Sequence, residues 1–412
     1  MLKPTHSRAL VWSLIAAAFI GPGTVATAAQ AGVMGGWFYF PLVLMAMAMG
    51  FLLMEMAARI TLVTGQSLGG VLGRQGRWLG YLCFTAVLLG CVAYQAGNLL
   101  GGLSGVQLLA PVHRLWVILL GAVVTIVLWQ GDTKRIAKAL AAVVVIMGLI
   151  FVVAAVYLLF SGNDLTGQGE FRPSMIFALV GTTIVPYNFF LAAGLSKGQR
   201  LADMRYGLGG SFLIGGIITM SIILVASVGT RFTGFDDLAR TLDAGGAGFG
   251  NVVLGLGLFA AGFSSAVTAP LAAAVAGREL LGVRALEDNK STVFRSIWGV
   301  VLVFGLLVAC LELDIVMVII SAQVVNGMLL PVIASIILIL ANDRGLLGDH
   351  VNAWWQNVPA VLITGWLIFK GLIMIGFKLM DPEVFADDYV EITYGVGMVL
   401  LSLVVGAMWR RR

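Results

Sequence analysis

Two short stretches carry polar chemistry into an otherwise apolar chain. Gly21-Pro22-Gly23-Thr24 lies inside the first long apolar segment and Val185-Pro186-Tyr187-Asn188 inside the sixth. Proline inside a helix removes a backbone donor and clashes with the preceding turn, and glycine weakens the turn further. In hydrocarbon an unpaired carbonyl or amide is costly, so a broken helix persists only where it lines a polar cavity or is covered by protein. At such a break the freed carbonyls can hold a cation, and the half-helix N-termini can face an anionic group. Each core has its proline second and a polar residue two positions later. Simple proline kinks are the alternative, but matched positions and polar neighbours favour a binding site. Groups able to line it are Thr24, Thr27, Thr182, Thr183, Tyr187, Asn188, Gln323 and Asn326. Ser264, Ser265 and Thr268 in the eighth segment can face the first break.

The elements that must position these residues are membrane helices. Of 412 residues, 60% are hydrophobic and 11% charged, against about 45–50% and about 25% in soluble domains. Apolar runs of roughly 20 residues, enough to cross a bilayer, recur throughout. Twelve spans are expected, near 10–33, 37–63, 78–105, 112–129, 136–160, 173–195, 207–229, 248–277, 294–311, 315–341, 358–378 and 391–409. The breaks lie five spans apart, so spans 1 and 6 cross in opposite directions. That points to an inverted repeat with a site at the interruptions near the midplane. The expected organisation is one transmembrane domain over 1–410, with repeats at about 10–160 and 173–341 and peripheral helices at 358–409. The basic, then apolar, start is read as the first span rather than a cleaved signal, because the apolar run does not stop at a cleavage site.

The net charge of +5 is explained by position. With the N-terminus inside, nineteen Lys and Arg fall on the cytoplasmic side and five outside. This asymmetry orients the chain with both termini cytoplasmic in the plasma membrane and implies no nucleic-acid partner. Cys83, Cys91 and Cys310 fall inside spans and are expected as buried thiols. The three histidines have no second ligand at metal spacing. With no nucleophile–base pair, phosphate loop or metal triad, neither an enzyme nor a cofactor is expected. Lipid and a small-molecule or ion substrate are the expected partners, and the chain is expected to be a monomer.

Several motifs occur together in one order: "GPGTVATAAQAG" from Gly21, "ARITLVTGQSL" ending span 2, "VPYN" from Val185, "AAGFSSAVTAPLA" from Ala260 and "SAQVVNGMLLP" from Ser321. In this the chain resembles the Nramp-type divalent metal transporters, which have a LeuT-like fold with a 5+5 inverted repeat and broken helices 1 and 6. The resemblance covers spans 1 to 10. It implies a transition-metal site formed by an Asp and an Asn in span 1, a Met in span 6 and a backbone carbonyl. Those positions are here Gly21, Thr24, Val185 and, for the carbonyl, Thr182. The family's span 6 His, tied to proton movement, is Tyr187. The acidic pair of its span 3 falls on Gln95 and Asn98.

These substitutions remove charge and sulfur. Mn²⁺ and Fe²⁺ need anionic or soft donors to replace their water shell, and Gln and Asn do not titrate. A proton-coupled Mn²⁺/Fe²⁺ transporter is therefore not expected, and no metal ligand set is assigned. Three readings fit the neutral cavity. One is a partly hydrated cation such as Mg²⁺. Another is an amino-acid-like solute, with Na⁺ held by span 1 carbonyls and Ser264, Ser265 or Thr268 in the style of the resemblance. The last is a scaffold or sensor that no longer transports.

The remaining charges read more plainly. Glu55 and Arg59 are four apart on span 2 and can pair, with Arg59 snorkelling toward water; a gate or ion site at Glu55 is the alternative. Glu312 and Asp314, and the acidic run from Asp381, are expected as solvated loops. Met45, Met47 and Met49 are expected to pack. Gly69-Gly70 and Gly101-Gly102 are expected to mark turns or close helix contacts.

Overall fold

The structure is a computed structural model that describes residues 20–130, 134–196, 198–244, 249–379 and 390–412. The first half of span 1 and the acidic run at 381–389 lie outside the described residues. Among those described, the regular structure is helical. The spanning elements are α1 (Pro22–Gly35), α2 (Phe40–Thr64), α4 (Arg77–Leu109), α5 (Trp116–Gln130), α6 (Lys134–Phe160), α7 (Pro173–Thr183), α8 (Pro186–Ser196), α9 (Leu201–Ser227), α11 (Gly250–Leu281), α12 (Thr292–Cys310), α13 (Ile315–Leu340), α15 (Trp354–Leu379) and α16 (Val390–Arg411). Short helices α3 (Leu68–Gln75), α10 (Phe235–Ala244) and α14 (Arg344–Leu347) lie in the connections. Together α7 and α8 occupy the sixth expected span, and helices lie at all twelve expected positions, the first in its described half; among the described residues, nine segments are long and apolar enough to cross a membrane.

Local chemistry sets the helix ends. Ser67, Ser291, Asp314 and Asp343 each accept from a backbone amide three residues on, at 3.1, 3.2, 2.7 and 3.2 Å. These are N-caps. Asp314, expected as a loop acid, is thus the cap of α13. Left-handed Gly65 (φ +67°) and Gly282 (φ +62°) end α2 and α11.

Two groups of helices emerge from the packing. In one, α9 packs on α1 and α2, α8 packs on α2, and α7 lies against α1 and α2. In the other, α4 runs along α11, with α12 and α5 outside. Glycine makes the second pair tight: a Cβ on Gly262 would lie 2.3 Å from the Gly102 amide nitrogen, and one on Gly105 2.4 Å from that of Phe259. The pair Gly101-Gly102 therefore marks a close helix contact, as expected. α13 touches both groups and carries α15 on its flank.

At the C-terminal end of α1, the loop before α7 supplies partners for carbonyls the helix leaves free. The Gln168 and Glu170 amides donate to Val33 O (2.9 Å) and Met34 O (2.8 Å), and the Trp37 amide donates to Leu165 O (3.1 Å). Gly36, at φ +51°, lies where a Cβ would meet Leu165 O at 1.9 Å. Cys83 and Cys91 are buried as expected, whereas Cys310, at the end of α12, is partly exposed.

Candidate functional site

Proline positions the start of α1 and the break in the sixth span. α1 starts at Pro22, with Gly21 extended (φ −96°, ψ 174°). α7 stops at Thr183, Ile184 is extended (φ −118°, ψ 93°), and α8 starts at Pro186. Pro186 has no N–H to give the Thr182 carbonyl, so the α-ladder cannot continue there.

The two breaks meet through hydroxyls. Thr24 Oγ1 lies 2.9 Å from Thr182 Oγ1, both buried, joining α1 to α7. One residue back, Gly181 O accepts from the Tyr94 hydroxyl of α4 (3.0 Å) and from Asn326 Nδ2 of α13 (3.2 Å). The Tyr94 hydroxyl also bonds Gln323 Oε1. It has one proton for two acceptors and donates to one at a time. The Gln323 amide lies over Gly23, where a Cβ would fall 1.9 Å from Nε2. Thus Thr24, Thr182, Gln323 and Asn326 come together at the breaks. Tyr94 joins them and was not foreseen; its signal was a tyrosine beside Gln95 in the middle of the apolar α4.

Other expected residues are placed differently. Gln95 Nε2 donates to Ala266 O (3.0 Å), and its side chain packs on Gly305, so it faces α11 and α12 rather than the hydroxyl pair. Asn98 lies one turn on, buried, with Nδ2 lacking a protein partner. Ser265 Oγ comes within 3.6 Å of a Cβ built on Gly21, placing it against the first break. Thr268 Oγ1 and Thr183 Oγ1 donate to Ser264 O and Leu179 O of their own helices, both at 2.8 Å. Val185 and Tyr187 are buried in the apolar core. Asn188 is 4% exposed, and neither of its amide atoms has a protein partner. Thr27 Oγ1 and Asn326 Oδ1 are buried in the same condition. Buried polar atoms of this kind are satisfied by water or ligand. A crevice of about 10 Å³, lined by Thr24, Thr183 and Thr219 and closed by Met47 over Gly216, opens between α2 and α9. It has room for about one water.

Charge is gathered elsewhere. Among the described residues, the only buried charged side chains are Glu55 and Arg59, each 2% exposed. The expected pair forms, with Arg59 Nε 3.1 and 3.2 Å from the two carboxylate oxygens. Snorkelling does not occur. The Arg59 guanidinium is covered by the segment between α13 and α15 and donates to His350 O and Asn352 Oδ1. Arg205 of α9 adds two donors to Glu55 Oε1, at 2.9 and 2.8 Å. Behind Asn352 a chain of amides runs to Asn357 (2.8 Å) and Asn342 (2.9 Å), ending on Leu338 O (2.9 Å). These asparagines were not singled out; three in a sixteen-residue stretch between apolar spans were the available signal. No group of three His, Cys, Asp or Glu able to hold a metal ion occurs among the described residues.

A helix that starts at Pro22 and a helix interrupted before Pro186, meeting at a buried polar centre, fit a multi-pass membrane protein of LeuT-like fold. Solved structures agree. A mutant of the manganese transporter of Eremococcus coleocola aligns with a TM-score of 0.74 at 15% identity, covering 98% of this chain and 94% of that one. The same transporter with an aromatic bis-isothiourea substituted compound gives 0.73 at 15%, with the same coverage. The profile of the natural resistance-associated macrophage protein-like (Nramp) family matches residues 13–376, and the chain belongs to that family. A divalent metal cation transporter, MntH, of Nostoc sp. strain PCC 7120 is 24% identical over 417 residues, spanning 90% of this chain and 92% of its own.

Proposed function

We propose that this protein is a secondary transporter that moves a divalent cation still carrying part of its water shell, as Mg²⁺ does, and not a proton-coupled Mn²⁺/Fe²⁺ carrier. The observation that carries the reading is the Thr24–Thr182 hydroxyl pair at the meeting of the two breaks. Neutral oxygens can replace outer waters but offer no anion to offset dehydration of a naked divalent ion. The transport class itself follows from family membership and from the relatives' names. The one buried carboxylate among the described residues is already engaged by two arginines. In this reading one domain spans 1–410, and the chain acts as a monomer in the plasma membrane with both termini cytoplasmic.

A second reading has its own support. α1 and α8 both begin at the breaks with proline, so two positive helix ends converge there. The unpartnered Asn188 amide stands in the first turn of α8. That arrangement suits the carboxylate of an amino-acid-like solute. Uptake into proteoliposomes of Mg²⁺, Mn²⁺ and an amino-acid panel separates the two. Mg²⁺ flux that is blocked by a bulky substitution at Thr24 supports the first reading, amino-acid flux the second. Flux of none of them overturns both.

A further inference from the structure

The Glu55–Arg59–Arg205 cluster is more elaborate than a structural ion pair requires. One carboxylate oxygen, Glu55 Oε1, receives Arg59 Nε at 3.1 Å and Arg205 Nε and Nη2 at 2.9 and 2.8 Å. One guanidinium, that of Arg59, holds α2 to the segment between α13 and α15 through His350 O and Asn352. The carboxylate thus ties α2 to α9 within the first helix group, while the guanidinium ties that group to α13 and α15. The buried asparagines 342, 352 and 357 carry the connection into α13.

We propose that Glu55, Arg59 and Arg205 form a latch on the basic side of the membrane, and that the state seen here is its closed form. Glu55 and Arg59 are its positioning residues, and Arg205 and Asn352 are the catches that part. Well-packed apolar residues would join these helices at least as stably, since replacing a buried ion pair by apolar groups is often neutral or stabilising. What charge adds is two favourable conditions with an unfavourable one between. The buried Glu55–Arg59 pair holds only when fully paired, with Arg205, its side chain 44% exposed, closing it from the water side; hydrated, each charge is satisfied by water and the helices are free to separate. Alternating access moves helices against one another, and a bistable contact that joins α2 to α9 and to the α13–α15 connection suits that step. The latch rests on the reading that this chain alternates access, so its test reads conformation without substrate or flux.

The experiment uses full-length protein in lipid nanodiscs, with Cys83, Cys91 and Cys310 replaced by serine. Spin labels go on the exposed Arg74→Cys and Asp349→Cys, and electron–electron distance distributions are recorded. One dominant distance is expected with the latch intact. Arg205→Ala and Asn352→Ala each leave Glu55 paired with Arg59. Each is expected to add a longer distance, changing the closed-to-open ratio about 5-fold or more, with Arg205→Lys returning the distribution toward that of the unaltered latch. Distributions that superimpose for all three variants overturn the proposal. So does a fall in thermal stability with no second distance, because that marks a static staple. Loss of transport with the expected distances would leave the latch standing and count against the transport reading alone.

Discussion

At the helix breaks, Thr24, Thr182, Gln323, Asn326 and Tyr94 make a buried centre from hydroxyls and amides, with some atoms left to water or ligand. Near the basic end of α2, Glu55, Arg59 and Arg205 make another from full charges, with the carboxylate and the Arg59 guanidinium each bonded at both ends. The first tolerates loss of a partner better, because a buried hydroxyl or amide left unpaired costs about 1–3 kcal/mol. The second does not, because an unpaired ion in that setting costs several kcal/mol. Ligand exchange needs the first kind of centre and a conformational switch suits the second. In the family resemblance charge sits at the breaks; here the buried charge sits with the latch.

Each of the following changes breaks or sharpens that contrast. The largest effect is expected from Glu55→Ala, which strands Arg59 in the interior. Thermal unfolding in detergent should show about 3–5 kcal/mol of lost stability, and Glu55→Ala with Arg59→Met should recover much of it. Next, charge can be put back at the breaks. Gly21→Asp with Thr24→Asn and Val185→Met supplies an anion and a thioether. A Cβ on Gly21 meets nothing closer than Ser265 Oγ at 3.6 Å, so the aspartate fits. Calorimetry should then show Mn²⁺ binding at least about 100-fold tighter than before the change. If none appears, the site has diverged beyond the three substituted positions. A smaller effect is expected from Thr24→Ala, which removes one hydroxyl from the pair and should cost about 1 kcal/mol. Thr24→Ser should cost less, in the same unfolding assay.

The smallest effect concerns the connection that holds α10. Partial burial pushes the Asp237 carboxyl up, but the Thr233 amide and hydroxyl, with Arg231 and Arg240, outweigh it and hold it below the ordinary carboxylate value. A depressed folded-state value means stability that is present above the unfolded pKa, about 3.9, and is lost as pH falls through the folded one. Hydrogen exchange of α10 should therefore rise below about pH 4. In Asp237→Asn that acid-dependent rise should be absent.

Much of the fold was legible because its determinants are local. Pro22 and Pro186 lack an N–H wherever the chain puts them, so both breaks could be read directly. The spans followed from runs of apolar residues, and Glu55–Arg59 from a spacing of four. What stayed hidden depends on partners distant in sequence. Arg205 reaches Glu55 across 150 positions, and Asn352 reaches Arg59 across 293. Tyr94 meets Gly181 O only because α4 passes behind the sixth span. Snorkelling was a fair expectation for an arginine near a helix end. It fails because the α13–α15 connection covers that end and offers a carbonyl and an amide oxygen.

The central claim is that the breaks hold no anion able to strip a transition metal or pass a proton. Its most direct test is simultaneous measurement of Mn²⁺ entry and internal pH in proteoliposomes of the unaltered chain, under an inward proton gradient. Mn²⁺ entry no faster than in protein-free liposomes, with no protein-dependent acidification, is the expected result. Mn²⁺ accumulation accompanied by acidification would contradict it.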